Sequence, residues 1–376
     1  MSRSALFLLF FSFVQNIFSQ QFYIRGRVTD SENQLALKGA SVYINNTTKG
    51  SISDENGNFE IGPLPPGRYE VVASYVGYDP LLYLAEIRTA NFRITFKLEK
   101  KEEVLREVLV LSSETRKRYL EIFKKYVIGT TAAAERCRIK NIDEVQFASG
   151  KEKNEIIAYS DKELEIENPE LGYTIYFELL DFYHNKTTLG SYFFGYTRFV
   201  DWGKDEQTKK KWVRKRRQAY DGSTVHFFRS LVNRELEKEG FTAYQLINSQ
   251  KEKKDTAVLK VATRQTTSGM KMASRAIEDS MISIYPDSVY RIYELRINDG
   301  WRIIYSKSTH LKQEVMKKNF MTGQPPTGTI SGLRLREEPV LISDRGIILT
   351  PIRVFYDGIW GYERLASMLP EDYEVE

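Results

Sequence analysis

The chain has 376 residues, of which 55 are Lys or Arg and 50 are Asp or Glu, and its formal net charge is +5. This length predicts two domains, and an apolar fraction of 41% with 28% charged residues is typical of globular proteins rather than disordered ones. The single cysteine, Cys137, excludes an intrachain disulfide and a cysteine-based zinc site. The charge surplus is too small to indicate a nucleic-acid-binding protein.

Residues 1–20 have the pattern of a secretory signal peptide. Arg3 supplies the positive start, and Ala5–Val14 is an apolar run too short to span a bilayer core of about 30 Å. Ser19 offers a cleavage position that leaves a mature start near Gln20; an N-terminal membrane anchor is the alternative. No later stretch reaches about 18 uninterrupted apolar residues, so we expect no transmembrane helix after signal removal. Exported bacterial proteins often lack disulfides, and the cysteine content therefore favours the periplasm or an outer-membrane-associated location.

Residues 21–112 contain short runs of strand-forming residues about ten residues apart, with turn residues between them. This pattern predicts a seven-stranded antiparallel β-sandwich. Asp54-x-Asn56-Gly57 is interpreted as a tight turn rather than a Ca²⁺ loop, because the oxygen ligands stop after two and no bidentate Glu follows. The runs include Phe22–Val28, Ser41–Ile44, Asn58–Ile61, Arg68–Ser74 and Ala90–Leu98.

Five turn motifs stand in one order within this segment. They are Gly26-x-Val28, Gly39-Ala40-Ser41-Val42, Gly57-x-Phe59, Pro66-Gly67-x-Tyr69 and Gly77-Tyr78. In this order they resemble the carboxypeptidase regulatory-like domain, a transthyretin-like β-sandwich. The resemblance implies a domain without catalytic residues of its own. Such domains stand beside metallocarboxypeptidase domains and at the front of outer-membrane receptors and other envelope proteins of the Bacteroidota.

Residues 113–376 alternate between strand-like and helix-like patterns and predict an α+β domain with a mainly antiparallel sheet and a helical insertion. Helices are expected from the Ser113 cap to Gly129, over Glu206–Tyr220, from the Ser223 cap to Gly240, and over Ile359–Leu369. Strands are expected at Ile156–Tyr159, Glu163–Ile166, Tyr173–Leu179, Ser191–Trp202, Ala257–Thr263, Tyr290–Ile297, Trp301–Ser306 and Ile347–Leu349.

Several short blocks in this second region carry another resemblance. They are Leu171-Gly172-Tyr173, Trp212–Tyr220, Gly222-Ser223, His226-Phe227-Phe228-Arg229, Glu239-Gly240-Phe241, Gly361-Tyr362-Glu363 and Met368-Leu369-Pro370. They are similar to the C-terminal half of the Bacteroidota proteins called carboxypeptidase-like regulatory domain-containing proteins. That resemblance implies an architecture and an envelope location, and it implies no mechanism.

The sequence holds three histidines and lacks several motifs that carry common enzyme chemistry. H-E-x-x-H, G-x-S-x-G and the Gly-rich phosphate loops are all absent. We therefore expect no catalytic residue, no metal site and no cofactor. His226, with Arg229 and Trp212, is the candidate functional group; a packed histidine in the first turn of a helix is the alternative interpretation.

Residues 209–217 carry seven positive charges in nine positions of the predicted helix Glu206–Tyr220. A solvated helix face is one interpretation of this run. The other is a patch for an anionic envelope partner, such as lipid A phosphates or acidic glycans, because guanidinium groups match phosphate geometry. Export argues against nucleic acid. The patch comprises Lys209, Lys210, Lys211, Arg214, Lys215, Arg216 and Arg217.

Taken together, these patterns predict an exported envelope protein that is not an enzyme. Its sandwich and α+β region would bind or scaffold an envelope protein, a glycan or an anionic lipid. Two alternatives stay open: an envelope hydrolase with a site near His226, and an accessory part of an outer-membrane transport system.

Overall fold

The computed structural model describes residues 21–101, 111–150, 152, 154–188, 190–247, 264–265, 271–273, 282–284, 292–297, 300–307, 328–336, 339–349 and 354–375. The predicted signal peptide and the predicted strand Ala257–Thr263 lie outside these residues. The described part of the chain is mainly β with several helices, which confirms the predicted fold class.

The first seven strands form a β-sandwich, referred to below as the sandwich. One sheet has the order β4-β1-β7 and the other the order β3-β2-β5-β6. All neighbours are antiparallel except β1 and β7, which run parallel, so the predicted purely antiparallel arrangement is wrong at this pair. The strands are β1 Phe22–Asp30, β2 Ser41–Ile44, β3 Gly50–Ile52, β4 Asn58–Leu64, β5 Gly67–Ser74, β6 Leu81–Ile87 and β7 Phe92–Leu98.

Alternation along these strands explains the sandwich core. In β1, Ile24 and Val28 face inward and are fully buried, while Arg25 and Arg27 between them face outward. Phe96 and Leu98 of β7 are also fully buried and belong to the same core. The period of two seen in the sequence therefore reports the two sides of a half-buried sheet.

A second sheet, the middle sheet, follows the sandwich, and its order is β8-β11-β12-β10-β9 with β13 on the other edge of β12. Helix α1 covers this sheet with Tyr119, Phe123 and Val127, which recur every four residues and are buried in its core. Its cap is Ser112, one residue before the expected cap Ser113. The elements are α1 Ser113–Val127, α2 Ala132–Arg136, β8 Arg138–Ile139, β9 Gln146–Ser149, β10 Glu155–Tyr159, β11 Leu164–Asn168, β12 Tyr173–Asn185 and β13 Ser191–Asp201.

A third part, the C-terminal sheet, has the order β15-β16-β14-β19-β20-β22 and its own buried core. Three further strands form the small sheet β17-β18-β21. The helices are α3 Glu206–Tyr220, α4 Thr224–Val232, α5 Leu236–Glu239 and α6 Ile359–Tyr362. The strands are β14 Phe241–Ile247, β15 Arg264–Gln265, β16 Lys271–Ala273, β17 Ile282–Ile284, β18 Tyr293–Leu295, β19 Trp301–Tyr305, β20 Thr329–Leu335, β21 Val340–Ile342 and β22 Val354–Gly358.

The single helix expected from Ser223 to Gly240 is wrong, because the chain breaks it into α4 and α5. The amide of Arg234 donates to Leu231 O at 3.1 Å and the amide of Glu235 donates to Ser230 O at 2.8 Å. These two bonds are a Schellman stop, and Arg234 takes the left-handed position with φ +59°. The second stop, at Gly240 with φ +92°, agrees with the expectation.

Two other expected elements also differ. The expected closing helix Ile359–Leu369 is wrong: α6 is a single turn, followed by a 3₁₀ turn over Leu365–Ser367. Arg364 between them has extended backbone dihedrals, which interrupt the helical hydrogen bonds. The expected strand Ile347–Leu349 is reduced to one isolated bridge between Ile348 and Ile342. None of the described helices has the length and apolar character needed to cross a bilayer.

Gly26, the first glycine of the sequence motifs, sits where β1 approaches β7 most closely. A Cβ at this position would lie 1.7 Å from Ile94 O, a backbone atom that cannot move without breaking the parallel pair. We predict that Gly26→Ala lowers the free energy of unfolding by about 2–3 kcal/mol, in the range of mutations that force backbone strain. Urea denaturation measures the change. Gly190→Ala is the control, because a Cβ there meets only Thr188 Oγ1 at 3.4 Å; equal stability of the two variants would contradict the close approach.

Candidate functional site

A cavity of about 890 Å³ lies where the sandwich, β13 and the end of the chain meet; we call it the cleft. It is open on one side and its walls are mostly apolar. Such cavities, with a few polar groups among apolar walls, are the usual places for ligands. Its lining includes Leu82, Phe193, Phe194, Tyr196, Ile348, Trp360, Glu70 and Glu371.

One wall of the cleft is built by the turn Asn45–Lys49 that joins β2 to β3. The amide of Asn46 donates to Thr197 O at 2.7 Å, and the amide of Phe199 donates to Thr47 O at 2.9 Å. The turn therefore lies against the outer edge of β13 as a short parallel bridge. Asn46 has φ +59°, a conformation that asparagine tolerates better than most residues.

A second wall is the C-terminal tail, Pro370–Tyr373, which is held from both sides. The amide of Glu371 donates to Asn46 O at 2.7 Å, and the Thr48 amide donates to Asp372 Oδ1 at 2.9 Å. From the other side, Arg229 Nη2 donates to Glu371 O at 3.0 Å and Nη1 to Tyr373 O at 3.1 Å. Arg229 thus fixes the tail, and its third bond, from Nε to Arg345 O, fixes a neighbouring loop.

Two carboxyl groups stand in the cleft, each paired with an asparagine of the turn. Asn45 Nδ2 donates to Glu70 Oε2 at 2.8 Å, and Asn46 Nδ2 donates to Glu371 Oε1 at 3.1 Å. Burial raises the pKa of Glu70, and burial raises the pKa of Glu371 to about 8, an effect that the negative charges of Glu70 and Asp372 increase. At neutral pH Glu371 is therefore largely protonated. The sequence carried no pattern that pointed to this pair, because the two residues are 301 positions apart (371 − 70).

The outer edge of β13 forms the floor of the cleft. Among the described residues, β13 pairs only with β12 and, at Arg198, with the turn. We call the remaining stretch of that edge, residues 191–196, the open edge. Four of its residues, Phe193–Tyr196, line the cleft, and Phe194 is 37% exposed.

His226, the predicted candidate, lies outside the residues that line the cleft, and both of its ring nitrogens are in use. The Gly222 amide donates to Nδ1 at 3.0 Å, which leaves the proton on Nε2, 3.3 Å from Glu239 Oε2. The ring is 3% exposed and stacks on Tyr220 with centroids 4.6 Å apart. Burial lowers the pKa of His226. The geometry is that of a packed histidine, and Ser223 Oγ contacts the His226 amide rather than the ring.

The basic run is divided by its helix into a buried and an exposed side. Arg216 is buried: it binds Asp201 with two nitrogens at 2.9 and 2.7 Å, and its Nε donates to Leu171 O at 2.8 Å. Trp212 is also buried and donates from Nε1 to Pro169 O at 3.1 Å. The expectation that Arg216 and Trp212 face a ligand is therefore wrong, since both support the fold.

Three other basic side chains of the run form ion pairs with nearby carboxylates. Lys209 lies 3.4 Å from Glu206, Lys215 lies 2.5 Å from Glu170, and Arg217 lies 2.8 Å from Asp221. Lys210, Lys211 and Arg214 are exposed and form no ion pair with a described residue. The run is therefore mainly a solvated helix face with three available cations.

No group of three or more metal-ligating side chains is found among the described residues. Cys137 is half-buried, and burial raises its pKa to about 12, so it carries a neutral thiol at physiological pH. Asp54 Oδ1 accepts from the backbone amides of Asn56 and Asn58 at 2.9 and 2.8 Å, as a tight turn requires.

Comparison with known families identifies the sandwich. Residues 24–110 match the CarboxypepD_reg-like domain, and the N-terminal part of the chain is thus a carboxypeptidase regulatory-like domain, as its turn motifs indicate. The match spans less than a third of the chain. No curated protein gives a significant match.

Solved structures share only local likeness with the chain. One is a cohesin–X-dockerin complex from Acetivibrio cellulolyticus (19% identity, 32% of this chain and 83% of that chain, TM-score 0.20). Others are a putative carbohydrate binding protein from Bacteroides uniformis (9%, 47% and 96%, TM-score 0.18) and the major pilin subunit BcpA of Bacillus cereus (10%, 86% and 95%, TM-score 0.21). At these TM-scores the likeness supports no functional argument.

The two sides of α3 give a direct test of how the basic run is used. We predict that Arg216→Ala lowers the free energy of unfolding by about 3 kcal/mol, because it removes the buried cation that pairs with Asp201 and the donor to Leu171 O. Arg214→Ala, an exposed arginine of the same run, should change stability by no more than about 0.5 kcal/mol. Thermal or urea unfolding of both variants measures the change in stability. If Arg216→Ala did not change the free energy of unfolding, the conclusion that Arg216 supports the fold would be contradicted.

Proposed function

We propose that the protein is an exported, non-catalytic binding module of the bacterial cell envelope, and that its cleft holds an extended segment of a partner protein. One observation carries this proposal: the cleft presents an edge of β13 that pairs with no described strand, beside apolar walls and two half-buried carboxyl groups. An extended peptide that adds to such an edge gains backbone hydrogen bonds, and the adjacent walls select its side chains.

The backbone of β13 supports this mode of binding. Thr197 directs both its amide and its carbonyl outward, to Asn45 Oδ1 and to the Asn46 amide. Because outward groups alternate along an antiparallel strand, those of Gly195 and Phe193 point to the same side. The turn already pairs with one part of this edge, and a peptide strand would continue the pairing along the open edge.

The walls indicate the side chains that such a peptide would carry. Phe194 and Tyr196 offer aromatic surface. Burial raises the pKa of Glu70 and of Glu371, and a Lys or Arg side chain that reached them would favour their charged forms. We therefore expect alternating apolar and basic residues in the ligand.

The alternative of a hydrolase near His226 gains no support from the geometry. A general base needs a ring nitrogen within reach of the nucleophile's proton. Both nitrogens of His226 already have partners, a backbone amide and Glu239.

The peptide proposal is tested by selection from a random peptide phage library on the full chain. We expect enriched peptides, and we expect Phe194→Ala to weaken their binding about tenfold, as for an aromatic contact at the centre of an interface. Tyr83→Ala is the matched control, because Tyr83 is an exposed aromatic of β6 that does not line the cleft. Fluorescence anisotropy of labelled peptides measures the dissociation constants.

A second arm tests the backbone pairing without changing the protein. The best peptide is synthesised in two forms that are N-methylated at alternate residues, in opposite phase. Pairing with the open edge predicts that one form loses binding and the other retains it, because only alternate amides face β13. Equal loss in both forms, or binders found only on a glycan array, would overturn the peptide proposal.

Export is proposed on the pattern of residues 1–20 and has its own test. The full chain expressed in a bacterial host should appear in the envelope fraction with a mass that corresponds to a start near Gln20. A chain of full mass in the cytoplasm would refute export. A chain of full mass in the membrane fraction would favour the N-terminal anchor and refute cleavage.

A further inference from the structure

The outer face of the sheet β4-β1-β7 carries a group of four cationic side chains. Three arginines and a lysine point outward from two neighbouring strands: Arg25 and Arg27 from β1, and Arg93 and Lys97 from β7. We call these four residues the cationic face. They do not belong to the basic run on α3, and they lie on the sheet that does not contribute to the cleft.

Strand register places like charges side by side. Arg25 is the direct neighbour of Arg93 across the parallel pair, and Thr29 is the neighbour of Lys97. Like charges in direct cross-strand register destabilise a sheet. On the other side of β1, the neighbours are Glu60 for Arg25 and Asn58 for Arg27, so one carboxylate lies within this array of four cations.

Two of the arginines are held in place by bonds that use only Nε. Arg27 Nε donates to Asn56 O at 2.7 Å, and Arg25 Nε donates to the Glu60 carboxylate. The Arg25 guanidinium also lies 4.9 Å from the centre of the Tyr23 ring. These contacts limit the freedom of both side chains and do not engage their terminal nitrogens. Arg93 and Lys97 make no ion pair with a described residue.

Three residues of the cationic face line a surface cavity. An open cavity of about 660 Å³ is lined by Arg25, Arg27, Arg93, Thr95 and Asn58. Adjacent strands are about 4.8 Å apart and alternate residues about 6.7 Å apart along a strand, so the three guanidinium stems surround a space of phosphate size. Asp54 also lines this cavity and is its second carboxylate beside Glu60; its Oδ1 accepts from the amides of Asn56 and Asn58, and its Oδ2 from Asn58 Nδ2.

We propose that this cationic face is a binding site for a phosphate-bearing ligand. Arginine forks donate two parallel hydrogen bonds to phosphate oxygens, and the ligand's negative charge removes the repulsion between Arg25 and Arg93. The phosphate belongs either to a lipid headgroup or to a soluble phosphate ester, and the experiment distinguishes the two sources. The site is independent of the cleft, and neither proposal requires the other.

The test uses the full chain at low ionic strength, with inorganic pyrophosphate as one probe and vesicles of phosphatidylglycerol as the other. Pyrophosphate binding is followed by calorimetry, and vesicle binding by co-sedimentation against phosphatidylcholine vesicles. We expect binding to at least one probe, weakened about tenfold by Arg93→Gln and by Arg27→Gln, and weakened by added salt. Arg93→Gln has no described partner to lose, so it should fold as the unmodified chain does.

Arg214→Gln is the matched control, because it removes an exposed arginine of the basic run. It should leave binding to both probes unchanged. Vesicle binding assigns the site to a lipid headgroup, and pyrophosphate binding alone assigns it to a soluble ester. Absence of binding to both probes, or a loss that follows Arg214→Gln and not Arg93→Gln, would overturn the proposal.

Discussion

The docking of the Asn45–Lys49 turn is the contact on which the arrangement of the sandwich, the middle sheet and the C-terminal sheet depends. The turn belongs to the sandwich, yet its backbone bonds reach β13 of the middle sheet and the C-terminal tail that follows the C-terminal sheet. Backbone groups have few alternative positions once the strands are formed, so these bonds define relative orientation more strictly than long surface side chains could. The cleft exists because the three parts meet at this turn and leave space beside it.

The contacts around the turn use carboxyl groups and amides rather than ion pairs. Glu70 and Glu371 accept from asparagine amides, and Glu178 of the middle sheet accepts from Ser74 Oγ at 2.8 Å. Burial raises the pKa of all three acids. Burial penalises the charged form of each acid, and the hydrogen bonds from Asn45, Asn46 and Ser74 offset part of the cost of burying these polar groups. The same groups then remain able to respond to a cationic ligand.

The sandwich was predictable because its determinants are local. Alternation along β1 and the turn glycines each involve a few neighbouring residues, and they indicated strands and family correctly. The parallel pairing of β1 with β7 was not predictable in this way, since it joins residues about 70 positions apart. The break after α4 was missed for a different reason: the stop at Arg234 uses a non-glycine residue in the left-handed conformation, which has no sequence signal as clear as Gly240.

The candidate functional residues also show how little the sequence alone predicts about long-range contacts. Four side chains were candidates because their residue types carry out chemistry or bind anions. In the structure each forms hydrogen bonds within the fold; they are His226, Arg229, Trp212 and Arg216. Sequence shows which groups a residue carries, whereas burial and partners decide whether those groups are available.

The residues that are available lie elsewhere, and they do so for a common physical reason. The open edge of β13 and the outer face of β1 and β7 are surfaces whose strands are fixed by sheet pairing, so their exposed groups need no further support to keep their positions. Among the described residues, one sheet of the sandwich makes the interdomain contacts and the outer face of the other does not, and the two proposals assign a different ligand to each side. That division follows from the turn: because β2 and β3 carry it, their sheet faces the rest of the chain, and the sheet of β1 and β7 is left to the outside.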